Sequence, residues 1–307
     1  MVSHLRHIRC NTVTSGQDLI HIDTAFLAAN KPAGLAVHRS RMVGTDDDYL
    51  VDRLRRHVDG PLHPAHRLDR ATSGLVLVAR SNESAAALGR QLMARDVEKT
   101  YLAVVRGWPA ETGVIDHPLS VGGLTGAPKP ASTRWQRLAT VEVPIEMGRY
   151  PQQRYALLAL SPQTGRYRQL RRHLHHVHHP IIGDTSHGRG DHNRLFREHF
   201  RCHRMLLHAW RLSFAHPDTG MPVSLAAPLD DSFLAVLDAF GWTHALDEFT
   251  AFDAFAAACS GGADHDVVSQ GQDRDRPGGP ADGSDAAPPT RDPTNQRPTD
   301  RSLESSA

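Results

Sequence analysis

Lysine is nearly missing from this chain: Lys31, Lys99 and Lys129 are the only three in 307 residues. Almost all of the positive charge is therefore guanidinium, which suits planar, bidentate contacts to phosphate and stacking on bases. Cysteine is equally scarce. Cys10, Cys202 and Cys259 are odd in number and far apart, so no disulfide framework follows and a reducing cytoplasm is the expected location. No run of about 18 apolar residues occurs, so neither a transmembrane helix nor a membrane partner is expected. Met1 to Cys10 alternates basic and apolar residues without an apolar core segment, and nothing there marks export. Hydrophobic residues make up only 39%, and the shortfall lies largely near the C-terminus.

The formal net charge of +1 hides an uneven distribution. From Cys259 to Ala307 there are five Arg against eight Asp and one Glu, a net of −4, so the body carries +5. Arg166 to Arg204 holds nine Arg against Asp184, Asp191 and Glu198, a local net of +6. A coding bias toward arginine is one reading of the overall ratio, but it does not explain the clustering. A basic stripe is the electrostatic footprint of a nucleic-acid binder.

Leu19 to Ala29 reads as a strand leading into a turn at Asn30-Lys31-Pro32-Ala33-Gly34. Asp46 to Val58 reads as a helix capped by its aspartates, with Leu50, Val51, Leu54 and Val58 at helical spacing. Gly74 to Arg80, Thr100 to Gly107, Tyr155 to Ser161 and Met205 to Phe214 read as strands. Glu83 to Asp96, about Tyr167 to His178, and Ser232 to Phe240 read as helices. Strands and helices mix without a regular βαβ alternation, which predicts an α+β fold with a mixed, largely antiparallel sheet flanked by helices. The predicted organisation is a short extension (1–16), one catalytic domain (17–258) and an acidic Pro/Gly/Asp-rich tail (259–307). The tail has too few large apolar residues to offset its ordering entropy and is expected to be disordered.

Three segments carry chemistry. His66-Arg67-Leu68-Asp69-Arg70-Ala71-Thr72-Ser73-Gly74 sets a carboxylate on a polar turn just before an apolar strand. The flanking arginines favour its ionised form, ready as a nucleophile or base. By itself the same pattern also fits an ordinary turn with a surface ion pair. Lys99-Thr100-Tyr101 offers a ring that can stack on a base and a hydroxyl that can move a proton, or equally a core tyrosine. Thr164-Gly165-Arg166-Tyr167-Arg168-Gln169-Leu170-Arg171-Arg172 opens a helix with several cations, which also fits a solvated basic face.

Together these segments resemble the RluA-type pseudouridine synthases. Asn30-Lys31-Pro32-Ala33-Gly34 with Val37-His38 is similar to the family's early motif, and His66 to Gly74 to its catalytic HRLD–TSG motif. Lys99-Thr100-Tyr101, Thr164-Gly165-Arg166 with Gln169-Leu170-Arg171, Ile182-Gly183-Asp184 and Leu207-His208-Ala209 resemble four later blocks, in the family's order. The likeness runs from about Asp18 to Trp242. Ala139 to Tyr155, Gly183 to Gly188 and Asn193-Arg194 most resemble the TruC branch, which modifies position 65 in the acceptor–T-stem region of tRNA. One departure is Arg168, where the family usually has histidine.

The resemblance implies a pseudouridine synthase fold and an isomerase acting on RNA, most plainly tRNA, with no obligate protein partner. The reaction exchanges a C1′–N1 bond for a C1′–C5 bond without redox change or leaving group, so no cofactor and no metal are expected. Asp69 is implied as the nucleophile, adding to ribose or base, or assisting loss of a sugar proton to give a glycal. Arg171 would pair with Asp69, Tyr101 would stack on the base and handle a proton, and Leu207 would pack against the uracil. Arg67 would fill the gap left in the RNA stack. Arg70, Thr72, Arg166, Arg168 and Gln169 are the remaining expected substrate contacts.

Three other readings compete. The same motifs serve relatives that act on ribosomal RNA. A non-catalytic RNA binder on the same fold would not need a carboxylate facing phosphate. His173, His175, His176, His178 and His179 suggest a metal cluster, and His199, Cys202 and His203 a weaker one, but neither includes a completing carboxylate or second cysteine.

Overall fold

The computed structural model of the protein describes residues 18–39, 48–120 and 126–249. The expected extension at 1–16 and tail at 259–307 lie outside the described residues. The chain begins with β1 (Leu19–Ile22), β2 (Phe26–Lys31), α1 (Leu50–Leu54), β3 (His63–Pro64), β4 (Ser73–Ala79) and α2 (Asn82–Ala94). There follow β5 (Glu98–Arg106), β6 (Thr112–Asp116), β7 (Leu119–Ser120), β8 (Pro128–Lys129), β9 (Ser132–Val143) and β10 (Gln153–Pro162). The last are α3 (Gln169–His176), α4 (Gly190–Phe200), β11 (Leu207–Ala215), β12 (Pro222–Ala226) and α5 (Asp231–Ala239).

Ten strands share one sheet, in the order β1-β2-β4-β11-β5-β10-β9-β6, with β3 beside β4 and β12 beside β11. Among these pairings only β4–β11 is parallel, and it spans two residues, Ser73↔His208 and Gly74↔Ala209. Beyond that contact β4 takes β3 as its neighbour and β11 takes β12, so the sheet splits at its centre. The predicted mixed, largely antiparallel sheet is what forms.

The central strands are buried on both faces, and the two-residue strand period sorts their side chains. Leu102, Val104, Tyr155 and Leu157 pack with Leu195 and Phe196 of α4 and with Phe233, Val236 and Leu237 of α5. Ala103, Val105, Ala156, Leu158 and Leu160 face the other way, against Leu170 and Leu174 of α3. Tyr101 is two residues before Ala103 and so lies on the α3 face. Each buried leucine or valine contributes about 1.5–3 kcal/mol relative to exposure, which holds Tyr101 and α3 on the same side of the sheet.

Several boundaries differ from the sequence reading. Leu19 to Ala29 is two strands, because the Asp23 carboxylate accepts the N–H groups of Ala25 (2.7 Å) and Phe26 (2.9 Å) and turns the chain. The helix predicted from Asp46 is shorter: Tyr49 precedes α1 as its N-cap and no side chain caps it. Asp48 pairs with Arg53 at 2.8 Å instead of capping. Leu50, Val51, Leu54 and Val58 do share one cluster as expected. The long strand β9 and helix α4 were not read from the sequence. Helix α4 buries His192 and Asn193 alongside Leu195 and Phe196, so its inner face looks polar to a hydrophobic-pattern reading. Most β9 side chains are only half-buried, with little alternation.

Candidate active site

Asp69 lies on the connection that enters β4, and both ends of its turn are pinned. The Asp69 carbonyl accepts the N–H of Thr72 at 3.0 Å, and the Arg70 carbonyl accepts the N–H of Gly34 at 2.8 Å. The same Arg70 carbonyl accepts from Nζ of Lys31 at 3.1 Å, and Nζ also donates to the carbonyls of Leu35 (2.7 Å) and Pro32 (2.9 Å). Lys31 is fully buried. Burial pushes its amine down to about 7, the cations Arg204 and Arg70 act in the same direction, and Asp69 opposes them.

Helix α3 brings Arg171 to this turn. Its Nη1 donates to Oδ2 of Asp69 at 2.9 Å, while Nε and Nη2 donate to the two oxygens of Asp184, each at 2.7 Å. Burial works against the charge of Arg171, but the bonds to Asp184 and Asp69 outweigh it and hold the guanidinium above its ordinary value. For Asp184, burial raises the pKa, yet the Arg171 contact and the N–H groups of His187 and Ser186 bring it below the usual carboxylate range. The sequence motif Ile182-Gly183-Asp184 marked this position but said nothing of its role.

Asp69 opens into a cavity of about 1110 Å³. Arg67, Thr72, Tyr101, Arg166, Arg168, Gln169, Arg171 and Leu207 also line it, so nine of the ten expected site residues meet there. Arg70 does not line it, and its Nε donates to the Gly34 carbonyl at 2.8 Å. Burial pushes the Tyr101 phenol up to about 12, and the negative charge of Asp69 adds to the shift. Beside Tyr101, the register between β11 and β5 shifts between Ala209 and Arg211, a bulge that re-aims the strand at the cavity wall.

Gln169 reaches the cavity but its amide is engaged in the frame. Its Oε1 accepts from Thr164 Oγ1 (2.7 Å) and the Arg166 N–H (3.0 Å), and its Nε2 donates to Ser132 O (2.9 Å) and Thr133 Oγ1 (3.0 Å). It therefore sets the turn that presents Arg166, whose own Nε donates to Pro130 O at 3.1 Å. Arg168 caps α3 in the left-handed region, φ +51°, with its guanidinium 4.9 Å from the Tyr167 ring centroid. His66 accepts the Leu77 N–H on Nε2 at 3.1 Å, and burial, aided by Lys99, pushes it down to about 4. That imidazole is neutral, and it lines the cavity beside Arg67.

A buried relay backs the site. Nη2 of Arg204 donates to Ser73 Oγ at 2.7 Å, and Ser73 shares a 2.7 Å bond with Nδ1 of His208. His208 Nε2 donates to the Ala227 carbonyl at 3.2 Å, so Nδ1 is the acceptor and Ser73 the donor. Arg204 also donates to Asp230, which caps α5 through the Phe233 N–H. Lys31 and Asp184 are buried charges and Arg204 a half-buried one, a state that a sequence reading cannot supply because it follows only from the packed fold.

The histidines in and just after α3 point to separate partners. His173 donates from Nε2 to the His117 carbonyl (3.0 Å) and bonds Thr133 Oγ1 through Nδ1 (2.9 Å). His175 bonds the His187 carbonyl at 2.8 Å, His179 the Arg106 carbonyl at 2.9 Å, and His176 stacks on His117 with centroids 3.8 Å apart. Among the described residues no group of three His, Cys, Asp or Glu could hold a metal ion, and no helix is long and apolar enough to cross a membrane.

A family model described as RNA pseudouridylate synthase matches residues 25–176, a span that contains Asp69, Tyr101 and Arg171. The chain is also 42% identical over 238 residues to the tRNA pseudouridine synthase C of Vibrio cholerae serotype O1, covering 75% of this chain and 98% of the relative. It belongs to the RNA pseudouridylate synthase family. This synthase is 44% identical over 241 residues to the tRNA pseudouridine synthase C of Pectobacterium carotovorum subsp. carotovorum, covering 76% of its own chain but 64% of that relative. Against the protein of the same name from Salmonella typhi the identity is 42%, over 76% of this chain and 95% of the other. Among solved structures it is similar to human RNA pseudouridylate synthase domain containing 1, with a TM-score of 0.57 and 28% identity over 72% of this chain and 86% of that one. The family expected from the six ordered motifs is the family found.

Proposed function

We propose that this synthase isomerises uridine to pseudouridine in tRNA, at position 65 of the acceptor–T-stem region, with Asp69 as the nucleophile. The observation that carries the reading is the state of Asp69: a carboxylate with 24% of its side chain exposed, at the wall of an arginine-lined cavity, bonded by Arg171 on one oxygen. The high identity to proteins named tRNA pseudouridine synthase C supports tRNA as the substrate. The position follows from the TruC-like segments.

A uridine in a paired stem cannot react in place, so it must flip out, at a cost of a few kcal/mol in stacking and pairing. Arg166 and Arg168 offer phosphate contacts on the cavity rim to offset that loss, and Arg67 fills the vacated stack. Tyr101 stacks on the base and Leu207 packs against it. The Asp69 carboxylate then attacks the nucleotide, to be released again before product leaves, or assists loss of a sugar proton that is returned when C1′–C5 forms. The C1′–N1 bond breaks, the uracil turns, the C1′–C5 bond forms, the C5 proton leaves and N1 gains one. Tyr101, protonated throughout the working pH range, moves the proton as a neutral hydroxyl. In this reading the synthase works on tRNA in the cytoplasm without an obligate protein partner.

The test is release of tritium to water from tRNA transcripts labelled at uracil C5, with ribosomal RNA fragments as competitors and Asp69→Asn as control. Release from tRNA, lost in Asp69→Asn and mapping to position 65, is the expected result. Release only from ribosomal RNA overturns the substrate. No release from any RNA, with binding intact, overturns the catalytic reading.

A further inference from the structure

A guanidinium beside an unconstrained carboxylate tends to take both of its oxygens, because two parallel N–H bonds are stronger and better defined than one. That geometry would be harmful next to a nucleophile, since it would occupy both oxygens and damp their reactivity. In this protein the fork of Arg171 is already filled: Nε and Nη2 hold the two oxygens of Asp184, each at 2.7 Å. Asp69 receives the remaining Nη1 on Oδ2 alone, at 2.9 Å. Among the described residues no protein hydrogen bond reaches Oδ1 of Asp69.

Asp184 is itself locked in place. Its Oδ1 accepts the N–H groups of Ser186 (2.8 Å) and His187 (3.0 Å). Its carbonyl accepts from Asn193 Nδ2 at 2.9 Å, and Asn193 Oδ1 accepts the Gly183 N–H at 2.7 Å. Gly183 has φ +80°, and a Cβ there would lie 2.1 Å from the Arg204 carbonyl oxygen, so the backbone at this corner admits only glycine. The side chain of Asp184 is 1% exposed, against 24% for Asp69. One carboxylate is buried as an anchor and the other is left open to the cavity.

We infer that Asp184 is a positioning residue for the reaction: it occupies the forked edge of Arg171, so that Arg171 steadies Asp69 through one oxygen and leaves the other free for the nucleotide. Asp184 also shares the positive charge of Arg171, which keeps Asp69 more nucleophilic than a full, unshared ion pair would. The assignment rests on Asp69 being the nucleophile.

The test is single-turnover pseudouridine formation by full-length Asp184→Asn, beside wild type and Asp69→Asn. Asparagine cannot hold the fork, so Arg171 turns its paired edge to Asp69. The rate constant is expected to fall about 100-fold, the size of effect a misplaced catalytic group produces, with tRNA affinity unchanged. If Asp184 only supported the fold, the loss of rate would track a loss of melting temperature and of tRNA affinity. Asp184→Ala gives a second reading, in which added formate refills the missing carboxylate and restores rate. A loss confined to tRNA binding, a rate that falls only in step with melting temperature, a folded Asp184→Ala that formate does not rescue, or failure of both variants to fold overturns the inference. Activity in Asp69→Asn would instead overturn the reading of Asp69 on which it rests.

Discussion

A Cβ on Gly74 would lie 2.2 Å from the carbonyl oxygen of Ala209, and Gly74 has φ +107°. The two strands β4 and β11 therefore approach more closely than any side chain permits, at the one point where they pair in parallel. That approach brings Asp69, just ahead of β4, and Leu207, the first residue of β11, to the same cavity. Gly74→Ala meets both a forbidden φ and a backbone clash, and is expected to destabilise the fold by at least about 3 kcal/mol. Urea denaturation of the variant measures this; a change of under about 1 kcal/mol would show that the strands can part without loss.

Tyr101 is held at about pKa 12 by burial and by Asp69, so it remains protonated at ordinary pH. Tyr101→Phe keeps the ring and the stacking surface but loses the hydroxyl. The rate is expected to fall about 100-fold, in the range of a lost proton-transfer group, with melting temperature and tRNA affinity unchanged. The wild-type profile should show no Tyr101-dependent basic limb below pH 10 or so; a limb near pH 9 that vanishes in the variant contradicts the assignment.

Arg168 sits at φ +51°, which costs a side-chain-bearing residue about 1 kcal/mol or more. Arg168→Gly removes that strain and also a rim cation. Stability is expected to hold or to rise by up to about 1 kcal/mol, while tRNA binding weakens and the slope of log affinity against log salt becomes shallower by about one. Thermal melts and salt titrations of one preparation measure both; an unchanged slope removes Arg168 from the phosphate interface.

His208 and His192 are buried and neutral, both pushed down to about 4, in each case chiefly by burial. In the unfolded chain each titrates near 6.5, so between about pH 4 and 6.5 the unfolded state binds more protons and stability rises with pH. Acidification from pH 6.5 to 4 should therefore destabilise the protein, each histidine adding up to about 1.4 kcal/mol per pH unit. His192→Gln, which retains hydrogen-bonding groups toward Tyr155 and Arg106, should flatten that fall. Denaturation midpoints at several pH values settle it, and an identical slope in the variant contradicts the role given to His192.

Much of the candidate site was legible before any fold was known, because the chemistry is written in contiguous motifs. His66 to Gly74 named Asp69, and Gln169 to Arg171 named its partner; nine of the ten residues drawn from such motifs line one cavity. Arg70 lies off that cavity, because a motif gives a neighbour's position in the chain and not the direction of its side chain, which turns to Gly34. Gln169 lines the cavity as expected, but its motif gave no sign that its amide bonds run to Thr164, Arg166, Ser132 and Thr133.

Local order in the chain was enough for the apolar strands, the helix spacing of Leu50, Val51 and Leu54, the arginine-rich stretch and the family. Each depends on residues within a few positions of one another. The split at the sheet's centre, the buried state of Lys31 and Asp184, and the division of Arg171 between two carboxylates depend on residues far apart in sequence. Asp69 and Arg171 are 102 positions apart. Which edge of a guanidinium faces which carboxylate is settled by packing in three dimensions, since the one-dimensional pattern holds the charges but not their orientation.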